Sequence, residues 1–338
     1  MRILIAGLGA VGQRHARNVR ALRGAAVELF AFRSRGLRHV VTDSLTRDDS
    51  RDVEMALGIR AFENLDDALG VKPDAVLICT PSSRHLEVAQ RAAEGGCHLF
   101  IEKPVSDTMK GVERLRSTVA ARNLVAMVGS QWRFHPCVQA LRKFMNDGML
   151  GHIERAEISY TEYLPDWHPY EDYRTSYAAR AELGGGVVLT QIHDYDLACW
   201  LFGVPRRVSA RGGKLSDLEI DVEDTADAVL EGGDTVVHVR QTFASRPPTR
   251  SITVTGDRCS AALDLLRSHM VFSPPLAPEI AITDYPRNQL FMDEIANFLD
   301  CVDRRDVPAV TLDDGIIALR VALAVKESMH SGRTVELT

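Results

Sequence analysis

The segment Arg2-Ile3-Leu4-Ile5-Ala6-Gly7-Leu8-Gly9-Ala10-Val11-Gly12 joins a short apolar run to three glycines spaced Gly-x-Gly-x-x-Gly, and a helical pattern follows from Gly12 to Arg23. A strand that feeds a glycine-rich turn and then a helix is the setting in which this spacing carries meaning. Gly7 permits the tight turn, Gly9 lets the backbone approach a pyrophosphate, and Gly12 lets the helix pack closely on the strand. The first helical amides, around Ala10 and Val11, then face the anion. The alternative is a glycine-rich turn of purely structural use. A second apolar strand in register after the helix weighs against it.

Working outward, short apolar runs at Arg2 to Ala6, Val27 to Phe32, Ala75 to Thr80, His98 to Glu102 and Val125 to Gly129 alternate with helical patterns. Those patterns cover Gly12 to Arg23, Asp48 to Leu57, Ser83 to Glu94 and Lys110 to Arg122. This alternation predicts a doubly wound parallel sheet covered on both faces, a Rossmann-type domain over residues 1–129. Past Ser130 the pattern changes. A helix at Pro136 to Asp147 precedes alternating segments at His152 to Tyr163, Val204 to Gly212, Thr225 to Leu230, Thr235 to Phe243 and Arg250 to Gly256. These predict an α+β domain over residues 130–338 with an open, mainly antiparallel sheet, and helices at Asn288 to Arg304 and Asp313 to Ser331 that pack back onto the domains.

The 338 residues suffice for two cores at 45% apolar content. The formal net charge of -6 is spread without basic blocks, which argues against a nucleic-acid partner and for a small molecule. Cys79, Cys97, Cys137, Cys199, Cys259 and Cys301 are far apart and lack metal-site spacing, so reduced thiols are expected. The histidines, among them His15, His39, His152 and His238, also lack metal spacing, and His193, Asp194 and Asp196 point in different directions from one helix, so no metal is expected. The apolar start is too short for a signal peptide and no later stretch spans a bilayer, which predicts a cytoplasmic protein without a membrane partner.

The second strand of a dinucleotide fold should end in an acidic residue if the ribose 2′-hydroxyl of NAD is read. Here it ends in Arg33-Ser34-Arg35, a cradle suited to a 2′-phosphate, while Glu28 stands near the strand's start. NADP(H) is the preferred expectation and NAD(H) the second.

Further motifs follow the glycine turn: Cys79-Thr80-Pro81 with His85, Glu102-Lys103-Pro104, Arg133-Phe134-His135-Pro136, and Gly184-Gly185-Gly186 followed by His193 and Asp196. Together they make the chain resemble the Gfo/Idh/MocA oxidoreductases (glucose-fructose oxidoreductase and inositol dehydrogenase relatives) along nearly its whole length. The resemblance implies a substrate held between the open sheet and the nicotinamide, sugar-like substrates, and a homodimer or homotetramer built through the sheets. It places Cys79, Thr80, Pro81, His85, Glu102 and Lys103 at the cofactor, and Arg133 and His135 toward the substrate. It also implies that Lys103 hydrogen-bonds the reacting hydroxyl and the cofactor ribose. Thr190-Gln191 stand where many members carry an aspartate. The combination of Arg133-Phe134-His135-Pro136 with a Trp-His-Pro loop is similar to the subgroup that handles nucleotide sugars or nonulosonic acids.

The chemistry of the residues agrees with that reading. Hydride transfer to or from a carbinol carbon needs a group that takes or gives the hydroxyl proton, and Lys103 and His193 are the candidates. Lys103 follows a buried strand at the carboxyl edge of the sheet, where open α/β folds bind ligands. His193 opens an apolar helical run, where the dipole would keep its ring neutral, and Asp196 one turn on is placed to orient it or to interact with the helix N-terminus. In the dense loop from Leu164 to Arg174, Trp167 and Tyr173 can stack on a sugar face, Asp166 and His168 can bind hydroxyls, and Arg174 can hold an anionic group. An interface loop is the competing reading. The sequence therefore predicts a sugar or polyol dehydrogenase or reductase. An NAD-dependent hydrolase and a cofactor-sensing protein without turnover are the alternatives, the second because Thr190 is no carboxylate.

Overall fold

The structure, a computed structural model, describes every residue except 34, 35, 37, 234, 276 and 338. The chain begins with β1 (Arg2–Ala6), α1 (Ala10–Arg23), β2 (Glu28–Phe32), a small hairpin of β3 (Val40–Val41) and β4 (Arg47–Asp48), and α2 (Val53–Leu57). It continues through β5 (Ile59–Phe62), α3 (Leu65–Gly70), β6 (Ala75–Ile78), α4 (Ser82–Glu94), β7 (His98–Glu102), α5 (Val112–Ala121) and β8 (Ala126–Gly129). The strands other than the hairpin form a parallel sheet in the order β5-β2-β1-β6-β7-β8. Strands β6, β7 and β8 are buried along their whole length, as expected of strands covered on both faces. Ser34 and Arg35, two of the expected cofactor ligands, lie outside the described residues.

The helix expected from Asp48 starts later. Asp48 Oδ1 accepts the Ser50 amide within a turn, whereas Asp52 Oδ1 accepts the amides of Glu54 (2.9 Å) and Met55 (3.2 Å) and caps α2. Residues 47 and 48 pair instead with 40 and 41. The edge strand β5 and the single-turn helix before β6 carry too few apolar residues to have stood out in the sequence.

After the crossing come α6 (Pro136–Asn146), β9 (Ile153–Tyr163), several 3₁₀ turns between Leu164 and Leu183, α7 (Val187–Thr190), α8 (His193–Phe202) and β10 (Arg207–Gly213). Then follow β11 (Thr225–Glu231), β12 (Val236–Thr242), β13 (Ala244–Gly256), β14 (Ser260–Asp264), β15 (His269–Ser273) and β16 (Ile280–Ala281). The chain closes with α9 (Arg287–Arg304), α10 (Leu312–Ser331) and β17 (Val335–Glu336). The second sheet runs β16-β15-β14-β13-β9-β12-β11-β10-β17. It is mostly antiparallel, but β9 pairs β12 in parallel, so the sheet is mixed. Its strands alternate buried and exposed residues, and α8 and α10 cover the buried face. The two closing helices return to the first sheet: α9 packs on α1, and Thr311 bridges Met127 beside β8. Among the described residues no helix is long and apolar enough to cross a membrane, and the six cysteines are free thiols.

The glycine turn sets how closely α1 approaches β1. Gly7 has φ +101°, and a Cβ there would stand 2.5 Å from Cys79 O; a Cβ on Gly12 would stand 2.0 Å from Gly7 O. A Cβ on Gly9 meets no heavy atom within 4 Å. Gly7→Ala and Gly12→Ala are therefore expected to cost about 1–3 kcal/mol by overpacking, and Gly9→Ala less than about 0.5 kcal/mol. Urea unfolding midpoints of the three variants check this; equal losses would contradict it.

Candidate functional site

Three turns lie together at the carboxyl edge of the parallel sheet, where open α/β folds bind ligands: the glycine turn after β1, Cys79-Thr80-Pro81 after β6, and Lys103-Pro104 after β7. The Gly7 amide donates to Phe32 O (2.8 Å). Gln13 Nε2 donates to Leu8 O (3.3 Å) and His39 O (3.1 Å), and its Oε1 accepts the Val41 amide (2.8 Å), which pins the β3–β4 hairpin to the turn. Gly9 is the N-cap of α1, with no capping side chain and no acidic residue in the first turn. The leading amides beside Ala10 and Val11 are thus free for an anion, and the space over Gly9 is open to one.

His85, expected at the cofactor, serves as an internal strut. Its ring nitrogens lie 2.6 Å from Pro104 O and 2.7 Å from Thr80 O, so it ties the second turn to the third, and burial pushes its basicity down. The Lys103-Pro104 peptide is cis. Lys103 Nζ donates to Thr190 O (2.8 Å), and burial pushes the ammonium down to about 8. That bond crosses from the parallel sheet to α7, and it uses the main chain of residue 190 rather than its side chain.

His193 opens α8 and is 4% exposed. Burial, with the charges of Lys103 and Arg250, holds its ring well below the usual value, so it is neutral at neutral pH. Desolvation rather than the helix dipole is the leading cause. His193 Nδ1, Thr190 Oγ1 and Thr80 Oγ1 are buried without a hydrogen-bond partner. Three orphaned buried polar atoms, on the turn after β6 and on α7 and α8, suit a site completed by ligands.

Glu102 also faces inward. His15 Nε2 lies 2.6 Å from its Oε1, and Glu294 of α9 completes a buried group with both carboxyl oxygens unpartnered. Burial and the neighbouring Glu102 push the Glu294 carboxyl well up. Burial raises Glu102 too, but the hydrogen bond and charge of His15 more than offset it. Ligands of one metal stand roughly 3.3 Å apart, so the 2.6 Å His15–Glu102 contact is that of a hydrogen-bonded cluster. On the far side, Arg250 pairs with Asp194 (3.3 Å) and Gln191 and lies over the rings of Trp132 and Tyr160. Gln241 Nε2 donates to Asp194 Oδ2 (2.8 Å).

Several expected ligands are engaged elsewhere. Arg133 is 4% exposed and grips Asp196 with Nε (2.9 Å) and Nη2 (2.6 Å), while Ser130 Oγ donates to the same carboxylate (2.6 Å). Asp196 is therefore the partner of Arg133, not an orienter of His193. His135 caps α6, its Nδ1 accepting the Cys137 amide and its Nε2 donating to Ser268 Oγ (3.2 Å), and burial pushes it down to about 4. Arg174 is exposed and held by Asp172 and Glu219, and Tyr173 OH accepts the Glu219 amide (3.3 Å). Arg33 pairs with Glu54. Asp166 pairs with Arg246. Trp167 and His168 do share one feature: their rings stack at 4.9 Å, and His168 stacks in turn on Tyr170 at 5.2 Å. Tyr170 and Tyr177 lie within electrostatic reach of Arg14 and Glu102 respectively, which brings this loop beside the cleft. Sequence reasoning missed Arg14, Tyr177, Arg250 and Glu294. A guanidinium one turn into α1, directly after the glycines, was the available signal for the first.

Comparison with known proteins adds the family context. Residues 1–130 match the description "Oxidoreductase family, NAD-binding Rossmann fold" and residues 138–262 match "GFO/IDH/MocA C-terminal domain". The chain is 26% identical to myo-inositol 2-dehydrogenase of Thermotoga maritima, over 100% of this chain and 98% of that protein. It is 28% identical to UDP-N-acetylglucosamine 3-dehydrogenase of Acidithiobacillus ferrooxidans, over 79% of this chain and 75% of that one. Its fold is similar to that of the WlbA dehydrogenase from Bordetella pertussis in complex with NADH and UDP-GlcNAcA, with a TM-score of 0.80, 23% identity, and coverage of 100% and 99% of the two chains.

The buried Arg133–Asp196 pair makes a stability prediction. Asp196→Ala leaves a buried guanidinium with only the 3.4 Å contact to Asp314 and is expected to cost about 3–5 kcal/mol, against less than about 0.5 kcal/mol for Arg174→Ala on the surface. Denaturant unfolding of both variants checks the contrast. Unchanged stability in Asp196→Ala would return Arg133 to the substrate side.

Proposed function

The chain belongs to the GFO/IDH/MocA oxidoreductases, and from that premise we propose an NAD(P)-dependent dehydrogenase or reductase. It acts between the carbinol and keto forms of a sugar, polyol or nucleotide-sugar-like substrate. The observation that carries the reading is Lys103: an amine at the carboxyl edge of the parallel sheet, anchored on Thr190 O at 2.8 Å and pushed down to about 8. An amine near neutrality can both take and return a proton. When bound, the nicotinamide supplies the hydride chemistry. The uncapped N-terminus of α1 and the open space over Gly9 fit such a dinucleotide.

In the oxidative direction neutral Lys103 accepts the hydroxyl proton at Nζ, and in the reductive direction its ammonium returns it. Neutral His193 orients the same hydroxyl by hydrogen bonding, with Thr190 Oγ1 as a further polar contact. The Lys103 anchor is a main-chain carbonyl, so threonine in place of aspartate at position 190 leaves it intact, which weighs against a protein without turnover. The stacked Trp167, His168 and Tyr170 offer an aromatic wall to a sugar or nucleobase.

For the cofactor, the Arg33–Glu54 pair favours NAD(H) over the NADP(H) preference read from Arg33-Ser34-Arg35, because a carboxylate at the guanidinium repels a 2′-phosphate. The NAD-binding family description supports the same choice.

The assay is formation of NADH from NAD⁺ with a panel of inositols, sugars and UDP-sugars; sugar release without net NADH would indicate the hydrolase instead. The oxidation kcat/KM is expected to rise with pH and level off above about 8, because protonated Lys103 cannot accept the hydroxyl proton. Lys103→Met should remove that limb and lower the rate by about 10²- to 10⁴-fold; activity within a few-fold of wild type would discard the assignment. Glu54→Gln is expected to tighten NADPH relative to NADH by up to about tenfold, measured by fluorescence titration. An unchanged ratio would remove Glu54 from cofactor selection.

A further inference from the structure

One guanidinium stands out among the arginines near the cleft. Arg14 lies on the first turns of α1, 8% exposed, with its Cζ 4.5 Å from the centre of the Phe291 ring of α9. Its Nε is enclosed and without a partner, and the group makes no hydrogen bond or ion pair with any described residue. Arg17, one turn on, is by contrast fully engaged by Asp43 and Val41 O. Enclosing a guanidinium Nε without an acceptor is costly, and such a group in a folded protein, its Nη atoms still open, points to a missing anion.

The surroundings make the same point independently. Arg287 is the first residue of α9 and is also unpaired among the described residues. A cation at a helix N-terminus opposes the helix dipole unless an anion lies beside it. Neither α1 nor α9 has a capping side chain or an acidic residue in its first turn, so both helices offer bare amides. After burial itself, Arg287 and then Arg17 are the groups that most depress Arg14's basicity, which sets these cations within one another's field; Asp43 and Glu102 only partly oppose them. Arg14 stands one turn after Ala10 on the same face of α1, and helical side chains lean toward their N-terminus, which is the end where the space over Gly9 is open beside the free amides.

We propose that Arg14, with Arg287 beside it, is a diphosphate clamp between the N-termini of α1 and α9. Guanidinium forks match phosphate oxygens in pairs, and stacking on Phe291 holds the fork in one plane before the ligand arrives. The clamp goes beyond the glycine turn because it recruits α9, an element from the far end of the chain, to the ligand. It rests on the dehydrogenase reading only for the source of the diphosphate, which is either the dinucleotide or a nucleotide-linked sugar.

Calorimetric titration of wild type, Arg14→Met, Arg14→Lys and Arg287→Met with NADH, ADP, UDP and adenosine tests it, with thermal melts to confirm folding; methionine keeps an apolar stem against Phe291. Arg14→Met is expected to weaken ADP and NADH by about tenfold or more and to leave adenosine unchanged, with a shallower salt dependence and partial recovery in Arg14→Lys. Loss of UDP affinity with NADH unaffected supports the clamp and assigns it to the substrate's diphosphate. A wild type that binds ADP through Arg14 but not NADH keeps the clamp and overturns the dinucleotide reading. Affinities of folded Arg14→Met within twofold of wild type for NADH, ADP and UDP overturn the clamp.

Discussion

A carboxylate sealed in the interior holds the two sheets in register. Asp196 sits on α8 and accepts three hydrogen bonds from the crossing segment just past β8, two from Arg133 and one from Ser130. An ion pair at this depth is weak evidence for stability, since burying both charges costs as much as their attraction returns, but breaking it is expensive and its geometry is directional. Its consequence lies three residues earlier on the same helix, where His193 is fixed against the edge of the parallel sheet. Arg133 also reaches Asp314 at 3.4 Å, so the same guanidinium orders the start of α10. A second tie between the two parts of the chain is the 2.8 Å hydrogen bond from Lys103 to Thr190 O on α7.

The parts of the site visible in the sequence are those whose geometry is local. Gly7, Gly9 and Gly12 act on one another within six residues, and Lys103 is placed by the end of its own strand, so spacing alone carries the information. Arg133 and His135 looked like ligands for the opposite reason. Their partners Asp196 and Ser268 lie 63 and 133 residues away, and a polar side chain with an invisible partner reads as one waiting for substrate. Arg33 is the same case, with Glu54 some 21 residues on. The alternation in the fold was legible wherever a strand was buried on both faces. The hairpin β3–β4 and the strands β14 to β16 were not, because short pieces with one wet face carry little periodic signal.

Burial is also what gives the catalytic candidates their chemistry. Lys103, His193 and Glu294 are each shifted toward their neutral forms, and in each case desolvation is the largest cause. Glu102 is the exception, kept as an anion by His15. The cleft floor thus carries one negative charge beneath an amine of intermediate basicity, and Glu294 fits beside Glu102 only because it keeps its proton, since two carboxylates this close cannot both ionise. Burial, and after it the charge of Lys103, keeps His193 unprotonated, and Arg250, shielded between Trp132 and Tyr160 and paired with Asp194, adds a smaller push in the same direction.

Helix α9 links these features. Its residue Phe291 stacks edge-on to the His15 ring at 6.1 Å and lies under Arg14 at 4.5 Å, while Glu294, three residues on, joins the buried acid cluster. Residues i and i+3 share a helix face, so a single stripe of α9 touches both Arg14 of α1 and the His15–Glu102 group next to Lys103. A Rossmann sheet usually presents its cofactor edge to solvent until a second domain covers it. Here the cover includes a helix encoded almost 280 residues after the glycine turn, and its first residue, Arg287, carries a positive charge within the field of Arg14. The surroundings of the turns that the sequence assigns to the N-terminal third are therefore completed by the C-terminal end of the chain, and any movement of α9 displaces the neighbours of Arg14 and of Glu102 together.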